Sequence, residues 1–223
     1  MLNEAAAPTA PAEAYDVFGA SFGTAEAFAR ILVGAAVERG LLGPREVDRI
    51  WDRHLINCAV VAEIVPEGAH VVDIGSGAGL PGIVLGIVRP DIRVTLLEPL
   101  LRRTNFLAEC VRELELAHVE VVRGRAEEYA GKLVADIVTA RAVAPLDRLA
   151  NWALPLLRPG GALLALKGDR AAAELAEASE TLRSHAVRDA GVVQVGQSRV
   201  NPATTIVRVI AGSQRKGRRN RKR

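Results

Sequence analysis

The chain has 223 residues, 49% of them hydrophobic, enough for one domain with a sizeable core and short extensions. Its two cysteines, Cys58 and Cys110, lie far apart inside helical patterns, which excludes a disulfide framework and a metal-ligand spacing. The formal charge of +3 is unevenly held: the last ten residues, QRKGRRNRKR, carry seven of the 29 basic residues and no acid, leaving 22 basic against 26 acidic side chains elsewhere.

Residues 1–14 are rich in alanine and proline, and residues 1–21 are expected to be disordered. They lack the basic segment of a signal peptide. No apolar run reaches about 18 residues, so no membrane span is expected. With two unpaired thiols, these features point to a cytoplasmic protein that does not engage a membrane. Residues 22–39 have an amphipathic helical pattern, with Phe28, Ile31, Leu32 and Ala35 to Val37 on the apolar side. Gly40 and Gly43 bracket a loop, and Pro44 suits the first turn of a second helix reaching residue 65. Residues 22–66 therefore read as a helical extension.

From residue 69 the pattern alternates. Strands are expected at 69–74, 93–98, 119–123, 135–140 and 162–167. Helices are expected at 81–88, 100–116, 147–157 and 171–185, with a helical turn near Glu127 and a Pro159-Gly160-Gly161 turn. Two late strands, about 191–199 and 204–210, are joined across Asn201-Pro202 by too short a link to be parallel. The expected fold is α/β, a doubly wound and mostly parallel sheet over residues 67–211. Residues 212–223 read as a disordered basic tail, suited by its arginines to phosphate.

The stretch VVDIGSGAGLPG, residues 71–82, organises the rest. Four glycines, Gly75, Gly77, Gly79 and Gly82, fall within eight positions after an apolar strand, and an apolar helix follows. Such a turn lets a ligand lie against bare backbone at a helix start. Gly77 to Gly82 fits the dehydrogenase pattern G-x-G-x-x-G, and Glu98 could hold ribose hydroxyls of a dinucleotide or of S-adenosylmethionine. Three features favour S-adenosylmethionine. Asp73 completes D-x-G-x-G-x-G and can attract a sulfonium directly or through water. A polar turn, Gly124-Arg125-Ala126-Glu127, follows the third strand and could grip adenine. A terminal antiparallel pair is foreign to ordinary dinucleotide folds. Together these resemble the class I S-adenosylmethionine-dependent methyltransferase fold.

The run from Val71 to Leu107, with RHLINC at Arg53, RAVAPL at Arg141 and LLALKG at Leu163, is similar to the glucose-inhibited division protein B (RsmG) family over residues 22–211. That family methylates guanine N7 in the 16S ribosomal RNA of the small subunit. The family usually has Asp-Ser where this chain has Asn57-Cys58. The resemblance implies S-adenosylmethionine contacts at Gly75 and Leu80, ribose at Glu98 and adenine at Ala126 and Glu127. It implies Arg141 beside the cofactor and Lys167 facing RNA, and both, at strand ends where a guanine would enter, are expected to anchor phosphate or guanine O6 of the RNA. The small ribosomal subunit is the expected partner, and the expected enzyme is a monomer without a metal.

Guanine N7 offers an in-plane lone pair and no proton, so the reaction needs no general base. This agrees with a strand-4 loop, Arg141-Ala142-Val143-Ala144-Pro145, that lacks the Pro-Pro-Tyr motif of exocyclic-amine methyltransferases. The four histidines, His54, His70, His118 and His185, are scattered and read as surface or packing residues. The other readings are a methyltransferase of small molecules or proteins, and a non-catalytic nucleotide-binding regulator.

Overall fold

The computed structural model describes residues 2–212. The basic tail from residue 213 onward lies outside the described residues. Seven strands form one sheet: β1 (His70–Ile74), β2 (Arg93–Glu98), β3 (Val119–Arg123), β4 (Ala135–Arg141), β5 (Leu157–Leu166), β6 (Val187–Val195) and β7 (Thr204–Ala211). Their order is β3-β2-β1-β4-β5-β7-β6. The first five are parallel, and β7 runs antiparallel to both β5 and β6. All of β1 is buried, as a central strand covered on both faces must be.

Alternate side chains divide between two cores. Val71 joins the core on one face with Phe28, Leu55, Ile83 and Phe106. Val72 joins the other with Leu149, Leu163 and Val207. The first face carries α1 (Ala12–Phe18), α2 (Phe22–Ile31), α3 (Asn57–Ala59), α4 (Gly82–Val88) and α5 (Leu101–Glu113). The second carries α6 (Leu146–Ala153), α7 (Ala171–Glu177) and α8 (Ser179–Ser184). The N-terminal helices pack on this same face beside α4, and residues 44–64 reach the sheet itself, where Thr204 on β7 donates to Asn57 O and Arg141 on β4 to Cys58 Sγ.

Several expectations are corrected. The N-terminal segment is not disordered where described: α1 buries Ala14 and Phe18, and Phe18 meets the Trp51 ring edge-on at 6.3 Å. Backbone straps hold the residues before it, Ala35 N–H donating to Asn3 O (2.8 Å) and Trp51 Nε1 to Pro8 O (2.8 Å). The expected helix at 22–39 is α2 continued by a π turn, Leu32–Ala36. The run from residue 12 to 36 is long and apolar enough, on length and composition, to cross a membrane. Its Phe28, Ile31, Leu32 and Ala36 are fully buried in the core. The second helical run, residues 44–64, strings 3-10 turns, a π stretch (Ile50–Ile56) and α3 together.

The sheet also departs from expectation at its far edge. β5 starts at Leu157, because the Pro-Gly-Gly turn is absorbed inside the strand where pairing jumps from Leu157 to Ala162. β6 lies earlier than expected, at Val187–Val195, and Gly196 (φ +74°) ends it. The expected helix at 171–185 breaks at Ala178 into α7 and α8.

Candidate active site

The glycine turn leaves β1 at its carboxyl end, where ligands lie in open α/β sheets. Gly75, Gly77 and Gly79 have φ of +66°, +57° and +94°, a region costly to any residue with a Cβ. A Cβ on Gly75 would also stand 3.0 Å from Val143 Cγ2. The turn is braced from beneath. Asp73 is fully buried; its Oδ2 accepts from Gly82 N–H (3.1 Å) and its Oδ1 from the Thr139 hydroxyl (3.1 Å). Burial pushes its carboxyl up to about 7, against those hydrogen bonds. Asp73, expected to attract a sulfonium directly or through water, has both carboxylate oxygens engaged in bracing the turn, by Gly82 N–H and the Thr139 hydroxyl.

Above the turn lies a cavity of about 330 Å³. Of the expected cofactor residues, Gly75, Glu98, Ala126 and Glu127 line it, while Asp73, Gly77, Gly79, Leu80 and Arg141 do not. Glu98 Oε2 accepts from Gly77 N–H (3.1 Å) and Oε1 from Leu100 N–H (3.0 Å), which fixes the carboxylate at the end of β2. Sequence reasoning missed Arg103, Val143 and Trp152 in this wall. Arg103 belongs to α5, and its buried Nε has no hydrogen-bond partner. A fixed carboxylate with spare lone pairs, an unsatisfied donor and bare glycine backbone fit a ribose-bearing ligand with an apolar base.

A second cavity, of about 560 Å³, adjoins the first, because Ala142 and Val143 line both. Arg141 and Lys167 line it, as do Arg53, Asn57 and Glu174. Lys167 is not a free cation: its ammonium donates to Ala144 O (2.8 Å) and Glu174 Oε2 (2.7 Å), with only 11% of the side chain exposed. Glu174 Oε2 also accepts from Leu146 N–H (3.0 Å), so the pair pins the loop after β4. Among the described residues, Arg141 has no carboxylate partner. Its Nη2 donates to His54 Nδ1 (2.7 Å) and its Nη1 to Cys58 Sγ (3.2 Å). His54 and Cys58, unassigned from sequence, thus hold the guanidinium. The only sequence signal was their presence in the RHLINC segment. Burial pushes the Cys58 thiol up, against the pull of the Arg141 charge. Among the described residues, no group of His, Cys, Asp or Glu side chains could hold a metal ion.

The reversed β7 separates this sheet from an all-parallel dinucleotide fold. With the cavity over the β1–α4 turn, it makes the chain a class I S-adenosylmethionine-dependent methyltransferase. Solved structures share this fold. An S-adenosylmethionine-dependent O-methyltransferase from Thermotoga maritima matches with TM-score 0.57 and 15% identity, over 72% of this chain and 66% of that one. A methyltransferase from Pyrococcus furiosus matches with TM-score 0.55 and 14% identity, over 72% and 86%. More specifically, the family model for rRNA small subunit methyltransferase G matches residues 22–202, and the chain belongs to that family. A relative of that name from Thermobifida fusca is 62% identical over 196 residues, 88% of this chain and 83% of its own length. Another from Streptomyces avermitilis is 57% identical over 213 residues, 95% and 90%.

Proposed function

We propose that the enzyme transfers the methyl group of S-adenosylmethionine to N7 of a guanine in the 16S RNA of the small ribosomal subunit. One observation carries this reading: the ribose-type cavity shares Ala142 and Val143 with a second cavity lined by Arg141 and Lys167. A methyl donor in the first can therefore meet a base in the second.

When bound, S-adenosylmethionine supplies an electrophilic methyl group on a sulfonium. The protein's own part is positioning. Glu98 accepts from ribose hydroxyls, the Ala126–Glu127 turn borders adenine, and Gly75 lets the ligand lie on the backbone. Leu80, Gly77 and Gly79 act through the shape of the turn. Arg141 directs its charge at the guanine O6 edge or a phosphate, and Lys167 with Glu174 sets the cavity wall. Of the ionisable groups around the second cavity, Arg53 and Arg141 are cations and Lys167 and Glu174 are paired. None is a free base, and N7 requires none. The enzyme works as a cytoplasmic monomer on a base turned out of its stack.

The test is transfer of labelled methyl from S-adenosylmethionine to purified small subunits and to naked 16S RNA, followed by mapping of the base. N7-methylguanine at one position is expected. Label on an exocyclic amine or a ribose, or no label in RNA, would overturn the reading.

A further inference from the structure

Arg49, Asp52, Arg53, Ile56 and Asn57 recur at helical spacing and share one face of the second helical run. Opposite them stands the loop 196–203 between β6 and β7, carrying Arg199, Val200, Asn201 and Pro202. The space between is a cavity of about 570 Å³. It is built, because the loop is clamped to the helical run at both ends. Gly196 N–H donates to Glu63 Oε2 (3.0 Å), and a Cβ there would lie 2.9 Å from Val60 Cβ. At the other end the Thr204 hydroxyl donates to Asn57 O (3.2 Å).

β7 starts beside the end of β5, Ile206 pairing with Leu166 and Lys167 N–H donating to Thr205 O (3.0 Å). The loop therefore sits at the carboxyl ends of the parallel strands, the side where substrate meets cofactor. Arg53 and Asn57 line both this third cavity and the one beside Arg141. Three cavities thus stand in series, joined pairwise by shared wall residues.

We propose that this third cavity binds the nucleotide adjoining the target base in the RNA strand. The inference rests on the proposed RNA substrate and deepens it. The wall supplies what a nucleotide needs. Arg53 and Arg199 are half exposed, with their nearest acids at 3.4 and 3.9 Å, and Arg49 has no acid within 4.0 Å among the described residues. These three hold phosphate. Ile56, Val200 and Pro202 provide an apolar seat for a base. Asn57 and Asn201 present both donors and acceptors, and Asp52 and Glu13 present acceptors, so the base edge is read by hydrogen bonds to its amino and imino groups.

The test compares R49A/R199A and N201A with the full-length wild type. Subunit methylation kinetics are measured together with filter binding of labelled 16S RNA over a salt series. R183A, an exposed arginine on α8, is the control. For R49A/R199A, the KM for subunits should rise roughly tenfold with kcat and S-adenosylmethionine affinity unchanged. The salt slope should fall by about 1.4, or about 0.7 for each single-strand phosphate no longer neutralised. N201A should raise KM without changing the slope, and R183A should change neither. A KM and slope equal to wild type in R49A/R199A, or the same losses in R183A, would overturn the proposal. If the wild type methylates no RNA, the functional reading fails on its own, and the binding series still decides whether this cavity holds RNA.

Discussion

The His54 ring joins Arg141 to Glu46. Arginine can only donate, so His54 Nδ1, 2.7 Å from Arg141 Nη2, is the bare nitrogen. Nε2 therefore carries the hydrogen and donates to Glu46 Oε2 (2.8 Å), which holds that carboxyl below its usual range. Burial first, and the Arg141 charge second, push His54 down to about 4. The unfolded chain thus takes up a proton near pH 6.5 that the native ring refuses, and stability falls as pH drops from there toward 4. Asp73 opposes this, since its native carboxyl titrates at about 7 and its unfolded one near 3.8, so the native state gains stability as pH falls between them. Each contribution is about 2 kcal/mol between pH 7 and 5. Urea melts at those two pH values should show H54Q losing less stability on acidification than wild type, and D73N losing more. Unchanged pH slopes in both variants would refute the pairing.

Lys167 and Glu174 form a nearly buried pair, so K167A leaves a carboxylate without its cation. The expected cost is about 3 kcal/mol of stability. The RNA-side cavity should lose its shape, while the cofactor cavity, which Lys167 does not line, should keep its affinity. RNA methylation should fall at least tenfold with the S-adenosylmethionine Kd nearly intact by calorimetry. Adding E174A should restore stability without restoring activity. Equal losses of methylation and cofactor affinity would rule out this role for Lys167.

Much of the fold was legible because the informative signals are local. VVDIGSGAGLPG announces strand, tight turn and helix within twelve positions, and the link across Asn201-Pro202 is too short for a parallel crossover between β6 and β7. What was hidden is long-range. His54 finds Arg141 across 87 positions, and neither residue alone advertises the contact. Asp73 stood next to the glycines in sequence, and nothing local shows that its carboxylate accepts from Gly82 N–H and from Thr139, 66 positions away. β6 is an edge strand, so its start, with the exposed Arg188 and Asp189, looks like loop. The N-terminal segment has a disordered composition but is strapped down through backbone groups, which composition does not report.

Glu98 uses both carboxylate oxygens on backbone donors, from Gly77 and from Leu100. An amide in E98Q must turn its NH2 toward one of them, and an alanine abandons both. The glycine turn and the start of the α5 segment should then loosen together. We expect the S-adenosylmethionine Kd to rise at least tenfold in E98A, about 1.4 kcal/mol or more. The rise in melting midpoint that saturating cofactor gives the wild type should shrink accordingly. A Kd within twofold of wild type would remove Glu98 from the ribose site.

The seven basic residues between 215 and 223 offer phosphate contacts that the rest of the chain, with 22 basic against 26 acidic side chains, cannot supply by net charge. Counterion release makes such contacts visible as salt dependence, about 0.7 to 0.9 in slope per phosphate neutralised. Truncation after residue 212 should flatten the salt dependence of 16S RNA binding and slow methylation of subunits at low subunit concentration. The kcat at saturation should not change, because every residue that lines the three described cavities is kept. An unchanged slope would mean the tail touches no phosphate, and a lowered kcat would mean that it reaches the reacting base.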